Sequence, residues 1–348
     1  MNNNKKNILL VGGTGYLGRH LRNSLFFHNL YFTSTSGKEN SIQLDLLDKK
    51  TFDNVKIVEH FDLIFILAST LQGLGTTELK DEYIQMDTIG LSSFLQYLSD
   101  NKLSKKIIYT SSMTVYGIDN ILPVKEDAKL IPLSTYGFSK LLGEETVNFY
   151  CQHNDANGVI LRIPGIYGGD RKAGYIYNTA VKCLKNEPII LDTSSLGYWE
   201  TINVNDLSEY IKEFIENYDW KAKVDIFNIS YGGKTDFIEC ATIIKDHLNS
   251  ASKIEIKGKK GYVDFYLDSS KAKKIISIKN NYLSSLTDRR HRRCPLPTLH
   301  LRPGFVRQDK RETRLAPAHA RSSRATDRSI AYQSPSQQFR YPVPRRCT

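Results

Sequence analysis

Hydrophobic positions recur in two alternating periods along the first half of the chain. Asn7–Val11 is a short apolar run, followed by Gly12-Gly-Thr-Gly-Tyr-Leu-Gly18 and by Leu17, Leu21, Leu25 and Phe26 at helical spacing. Leu30–Thr35 and Ser41–Leu44 predict the next strands, and Asp62–Ala68 is apolar on both faces, as a strand covered by helices on each side requires. A helix is predicted over Glu78–Ser99, a strand over Lys106–Ser111, a helix over Thr135–Tyr150 and a strand over Val159–Ile163. This alternation predicts an α/β protein with a doubly wound parallel sheet. Beyond residue 170 the strands shorten (Ile189–Leu191, Ile226–Ile229) between helices near Leu207–Glu216 and Asp236–Leu248. A smaller C-terminal α/β substrate lobe over the sheet's carboxyl edge fits that pattern, with some elements returning to the core.

Charge adds a boundary. The chain has 348 residues and a formal net charge of +11. Residues 1–286 hold 33 basic and 33 acidic side chains, whereas residues 287–348 hold 15 and 4. The whole excess sits in the last segment, so the basic balance is not the footprint of a nucleic-acid-binding fold. No nucleic-acid partner is expected for the body. The same segment holds 7 of the 11 prolines and reads as a disordered Arg/Pro-rich tail. A basic arm, a spacer and foreign sequence joined at the boundary all remain open for it. The expected organisation is a body over 1–286, with a dinucleotide-binding core over about 1–170 and the lobe over about 171–286, and a tail over 287–348.

No run approaches the roughly 20 apolar residues that cross a membrane. The start leads into the first strand without an apolar targeting region. Cys151, Cys183 and Cys240 are scattered, which suggests buried thiols in place of disulfides or a metal site. A cytoplasmic protein is the expectation.

Gly12, Gly15 and Gly18 form G-x-x-G-x-x-G between the first strand and the first helix. Such glycines permit a tight turn, let the backbone approach a diphosphate and allow close helix–strand packing. The helix N-terminus supplies N–H groups and a favourable dipole for the anion. Dinucleotide binding is therefore predicted, although a generic turn has the same glycines. The carboxylate that usually ends the second strand is missing, and Thr33-Ser-Thr-Ser-Gly-Lys38 offers Ser36 and Lys38 instead. That substitution favours NADP(H), with NAD(H) as the alternative.

Tyr136-Gly-Phe-Ser-Lys140 places a phenol and an ammonium on one helix face, where the cation favours the phenolate. Ser112 lies 24 residues upstream, in Ile107-Ile-Tyr-Thr-Ser-Ser-Met-Thr-Val-Tyr-Gly117, where a strand runs into a loop. A hydroxyl at that edge can hydrogen-bond the oxygen with which Tyr136 exchanges a proton.

Together with Arg162-Ile-Pro-Gly-Ile-Tyr-Gly168, these motifs stand in the order and spacing of the extended short-chain dehydrogenase/reductases. The chain resembles their nucleotide-sugar epimerase/dehydratase/reductase group over roughly residues 6–286. The resemblance implies a Rossmann-type fold and a Ser112, Tyr136 and Lys140 triad. It implies cofactor contacts from Gly12, Thr14, Gly15, Tyr16, Leu17 and Gly18, from Asp45 and Leu46 at the adenine, and from Leu67, Ala68 and Ser69. Tyr136 and Lys140 also face the cofactor in the family, and Pro164, Gly165 and Ile166 match the backbone that meets the nicotinamide carboxamide. Asp45 alone would also read as a helix N-cap. A homodimer built on the two long helices is implied as well.

Departures narrow the reaction. Family 4,6-dehydratases carry an Asp-Glu pair after the catalytic Ser/Thr, whereas Met113 and Thr114 stand here. Thr114 also replaces the Cys of the bifunctional epimerase-reductases, and no histidine lies between His153 and His247. Trp199 occupies the position of the diphosphate-binding arginine, which leaves Arg171 as the candidate for substrate phosphates, with a surface salt bridge as its plainer alternative. Asp87 stands where the family usually has Asn. What remains is hydride chemistry at one sugar carbon. NADPH-dependent reduction of a 4-keto nucleotide sugar is the leading expectation. A 4-epimerase with tightly bound NAD is the alternative, and a non-catalytic dinucleotide sensor is a further one.

Overall fold

The computed structural model describes residues 5–70, 75–191, 198–257 and 264–278. The tail and the boundary at residue 286 lie outside the described residues.

The chain runs β1 (Asn7–Val11), α1 (Tyr16–Ser24), β2 (Asn29–Ser34), β3 (Ile42–Gln43) and β4 (Leu63–Ile66). It continues through α2 (Asp81–Ile84), a π turn over Met86–Gly90, α3 (Leu91–Asp100), β5 (Lys106–Ser112), α4 (Thr135–His153) and β6 (Asn157–Ile163). The later elements are β7 (Gly165–Tyr167), α5 (Tyr175–Leu184), β8 (Ile189–Leu191), β9 (Tyr198–Trp199), β10 (Thr201–Asn203) and α6 (Val204–Asn217). Then come β11 (Val224–Asn228), β12 (Thr235–Asp236), α7 (Phe237–His247) and β13 (Ile254–Ile256).

Seven strands form one parallel sheet in the order β11-β6-β5-β4-β1-β2-β3. The order reverses between β1 and β4, which places a crevice at their carboxyl ends. Alternate residues of β1 explain the double cover. Ile8 and Leu10 enter a core under α1, α5, α6 and α7, while Leu9 and Val11 enter a second core under α3 and α4. Cys151, Cys183 and Cys240 are buried free thiols within these cores.

The smaller C-terminal lobe is built from the two-stranded sheets β10–β7, β12–β9 and β13–β8. The strand near Ile226–Ile229, an element of the kind expected to return to the core, belongs to the main sheet, where Val224–Asn228 pairs with Gly158–Arg162. The helix expected over Glu78–Ser99 begins at Asp81 and widens at Met86–Gly90, where Gly90 N–H bonds the Gln85 carbonyl at 2.9 Å.

Candidate active site

The glycine turn closes tightly against β4. Gly12 has φ +83°, and a Cβ there would stand 2.9 Å from the Ala68 nitrogen. Leu67 and Ala68 both donate N–H bonds to the Val11 carbonyl at 2.9 Å, which folds the segment after β4 over the end of β1. Gly15 caps α1 without a side chain, so its first N–H groups face the crevice unscreened by a capping oxygen. A Cβ on Gly18 would meet Gly13 at 2.6 Å, so helix and turn pack backbone to backbone.

Leu17 packs against the core, while Tyr16 donates its phenol proton to the Gly168 carbonyl at 2.7 Å. The Arg171 guanidinium lies 5.6 Å from the Tyr16 ring, and its charge also acts on Tyr136. Arg19 donates to the Thr14 carbonyl and pairs with Asp170 at 2.6 Å. The turn and the 168–171 loop are thus joined across the carboxyl edge.

Farther along that edge, Asp45 accepts the Leu47 N–H at 2.9 Å and Leu46 is buried. The helix cap that Asp45 alone would suggest is supplied by Asp48, whose carboxylate accepts the Lys50 N–H over the short helix Lys49–Val55.

Ser112 ends β5 and caps the short turn Met113–Val115. Its Oγ accepts bonds from the Thr114 N–H at 3.2 Å and the Thr114 hydroxyl at 2.9 Å, which leaves its own proton to donate. α4 begins directly over this turn. Ser134 caps it through the Gly137 N–H at 3.1 Å, and a Cβ on Gly137 would collide with the Thr114 carbonyl at 2.3 Å. Gly137 therefore lets the helix start close enough to bring Tyr136 within side-chain hydrogen-bonding reach of Ser112. Burial, followed by the charge of Asp87, pushes the Tyr136 phenol up to about 12, against the opposing pull of Ser112 and Arg171.

Lys140 is 2% exposed and turns to the buried side of α4. Its ammonium meets Asp87 Oδ1 at 3.2 Å and the Tyr109 hydroxyl at 3.1 Å. The same carboxylate accepts bonds from Tyr109 at 2.9 Å, Ser69 at 3.1 Å and Ser139 at 3.2 Å. Tyr109 and Ser139 stand within the motifs but are given no role by them, and Gly143 is a signal for Tyr109 alone. A Cβ on Gly143 would stand 2.0 Å from the Tyr109 hydroxyl, so this glycine makes room for the cluster.

Substrate candidates lie on the lobe side. Met113 is buried with Val115, Tyr116, Val124, Phe265 and Leu267, and Trp199 packs against that cluster with its ring 5.7 Å from Phe265. β7, which carries Ile166 just after Pro164, pairs in parallel with β10. The Trp199 indole nitrogen lies 3.9 Å from where a Gly165 Cβ would stand. Glu200 anchors the segment by accepting N–H bonds from Gly232, Gly233 and Leu267.

Residues 8–230 match the model of the NAD dependent epimerase/dehydratase family. The chain belongs to that family. Among relatives of this epimerase/dehydratase, the "Putative UDP-glucose 4-epimerase" of Methanocaldococcus jannaschii is 28% identical over 290 residues, spanning 77% of this chain and 92% of the relative. The dTDP-4-dehydro-6-deoxyglucose reductase of Escherichia coli is 24% identical over 280 residues, spanning 73% and 85%. The solved UDP-glucose 4-epimerase from Bifidobacterium longum, in complex with NAD+ and UDP, shares the fold with a TM-score of 0.67 at 19% identity, covering 81% and 97%. The extended short-chain dehydrogenase/reductase assignment and catalytic competence follow from the family match.

The glycine turn and the unscreened start of α1 fit a dinucleotide diphosphate. The expected preference for NADP(H) is corrected, because the family is NAD dependent and its Bifidobacterium member is solved with NAD+. The loop after β2 carries its own carboxylate, one residue past Lys38. Ser34 and Ser41 bond to each other at 2.7 Å, and Ser41 also donates to the Lys38 carbonyl. Ser36 and Lys38 are exposed, and the next residue, Glu39, carries an opposite charge in the same left-handed turn. No helix among the described residues is long and apolar enough to cross a membrane.

Proposed function

We propose that this enzyme is a nucleotide-sugar 4-epimerase that retains NAD through its cycle. One observation carries the reading: the Tyr136 phenol lies beside the Ser112 hydroxyl, and the adjoining Met113 and Thr114 offer no second acid or base. Such a site acts at one carbon, which excludes removal of water and proton exchange at neighbouring carbons. The reductase expectation rested on exchange of NADPH, and it loses its basis with the cofactor correction. The relatives named as 4-epimerases support the remaining choice.

NAD, when bound, supplies the hydride acceptor and donor for the sugar C4. Tyr136 takes the proton of the C4 hydroxyl as the carbonyl forms and returns it as the alcohol is restored. Ser112 donates its hydrogen bond to the same oxygen in both directions. The glycine turn and α1 N-terminus would hold the cofactor diphosphate, with Asp45 and Leu46 at its adenine and Leu67–Ser69 along its length. Arg171 would hold the substrate phosphates, in the role that Trp199 cannot fill.

The test offers UDP-linked hexoses to the purified protein and resolves the C4 epimers by chromatography. Epimer formation without added reductant supports the reading. Consumption of NADPH or NADH in step with loss of a 4-keto sugar would identify a reductase instead.

A further inference from the structure

The Asp87–Lys140 pair has a consequence beyond holding the fold. The π turn over Met86–Gly90 carries Asp87 into the interior, where it is 1% exposed and accepts bonds from four side chains. Widened helical turns recur at functional sites because they re-aim single side chains. Here the turn aims a carboxylate at the cation that, in this family's triad, assists the tyrosine. Ser69 ties the same carboxylate to the segment lining the cofactor crevice.

We propose that Asp87 is a positioning residue that engages the Lys140 ammonium and withholds its charge from Tyr136, thereby setting the pH at which the enzyme becomes active. The proposal rests on the reading of Tyr136 as the proton-transfer group. A lone ammonium beside a phenol favours the phenolate, whereas an ion pair presents almost no net charge. An asparagine at position 87 would retain an oxygen for Tyr109 and Lys140 and would lack the compensating charge.

Other groups around the pair make the assignment specific. α4 contributes Lys140 and Glu144, and Glu144 is committed to Arg162 of β6 at 2.6 Å. β5 contributes Tyr109, whose phenol is held protonated by burial and by Asp87. The loop after β7 contributes Arg171, which favours the Tyr136 phenolate. Asp81 and Glu82 of α2 are exposed to solvent. Asp87 is thus the carboxylate that meets Lys140 directly. Its charge acts with burial to hold the Tyr136 proton, so the step in which Tyr136 takes up a proton accelerates as pH rises.

The experiment follows phenolate absorbance against pH in the purified full chain, using the difference from the matching Tyr136→Phe protein to isolate one phenol. Asp87→Asn is expected to lower the Tyr136 midpoint by about one pH unit or more, and to move the rising limb of the turnover profile by the same amount. An unchanged midpoint in a folded Asp87→Asn protein overturns the proposal. Because that variant leaves a buried cation unpaired, the double variant Asp87→Asn/Lys140→Met provides the second arm, with neither charge present. Its Tyr136 midpoint should lie clearly above that of Asp87→Asn alone, because the cation that the single variant frees has been removed as well. A midpoint as low as that of Asp87→Asn alone would overturn the proposal, because the shift would then not depend on Lys140. The absorbance readout is independent of turnover. If Tyr136→Phe keeps full activity, the proton-transfer reading fails while the electrostatic pairing can still be judged.

Discussion

Helix α4 carries two buried ion pairs one turn apart, Lys140 with Asp87 and Glu144 with Arg162. The second is a fork. Arg162 Nε meets Glu144 Oε1 at 2.9 Å and Nη2 meets Oε2 at 2.6 Å, while Nη1 donates to the Tyr116 hydroxyl and the Glu126 carbonyl. Ser111 donates to the same carboxylate, so this buried pair ties the helix to β5 and β6 at once. The Lys140 pair is a point charge on a carboxylate, and it stands one helical turn from the Tyr136 phenol at the open edge of the sheet. Similar chemistry therefore serves two ends. One pair fixes where α4 lies, and the other governs the charge felt beside the reacting oxygen.

The largest effect should come from breaking the fork. Arg162→Met leaves the Glu144 carboxylate buried without its cation, and urea unfolding should show a loss of about 3–5 kcal/mol. An equal loss for Asp87→Asn would break the comparison, because the second pair would then be structural as well. Tyr136→Phe sharpens the functional side. Turnover should fall by about 10²- to 10⁴-fold, with an unchanged urea midpoint. The smallest effect belongs to Lys38→Ala, in the exposed loop after β2. Stability should move by less than about 0.5 kcal/mol, and calorimetric titration with NAD should give an unchanged affinity. A marked gain in NAD affinity would show that Lys38 does face the ribose.

Much of this arrangement was legible because short-range rules decide it. The apolar alternation of Ile8–Val11, the glycines after it and the four-residue spacing from Tyr136 to Lys140 are local features, and each stands on the element expected of it. Three features escaped for physical reasons. A π turn inserts one residue into a helical period, and the window over residues 78–99 averages across it. The Lys140–Asp87 pair joins residues 53 apart in sequence, and no local pattern marks a carboxylate as inward-facing. The cofactor preference failed because Thr33–Lys38 shows hydroxyls and a lysine, while the carboxylate of Glu39 stands one residue farther on in the same left-handed turn.

The central claim, a 4-epimerase that keeps its cofactor, is most directly tested by the fate of hydrogen at C4. A UDP-hexose carrying deuterium at C4 should be incubated with the purified enzyme, and both the sugars and the dinucleotide released into solution analysed by mass spectrometry. The account predicts that deuterium remains at C4 of the epimerised sugar and that the released dinucleotide stays unlabelled. Deuterium accumulating in free NADH or NADPH, with a 4-keto sugar as the product, would contradict it.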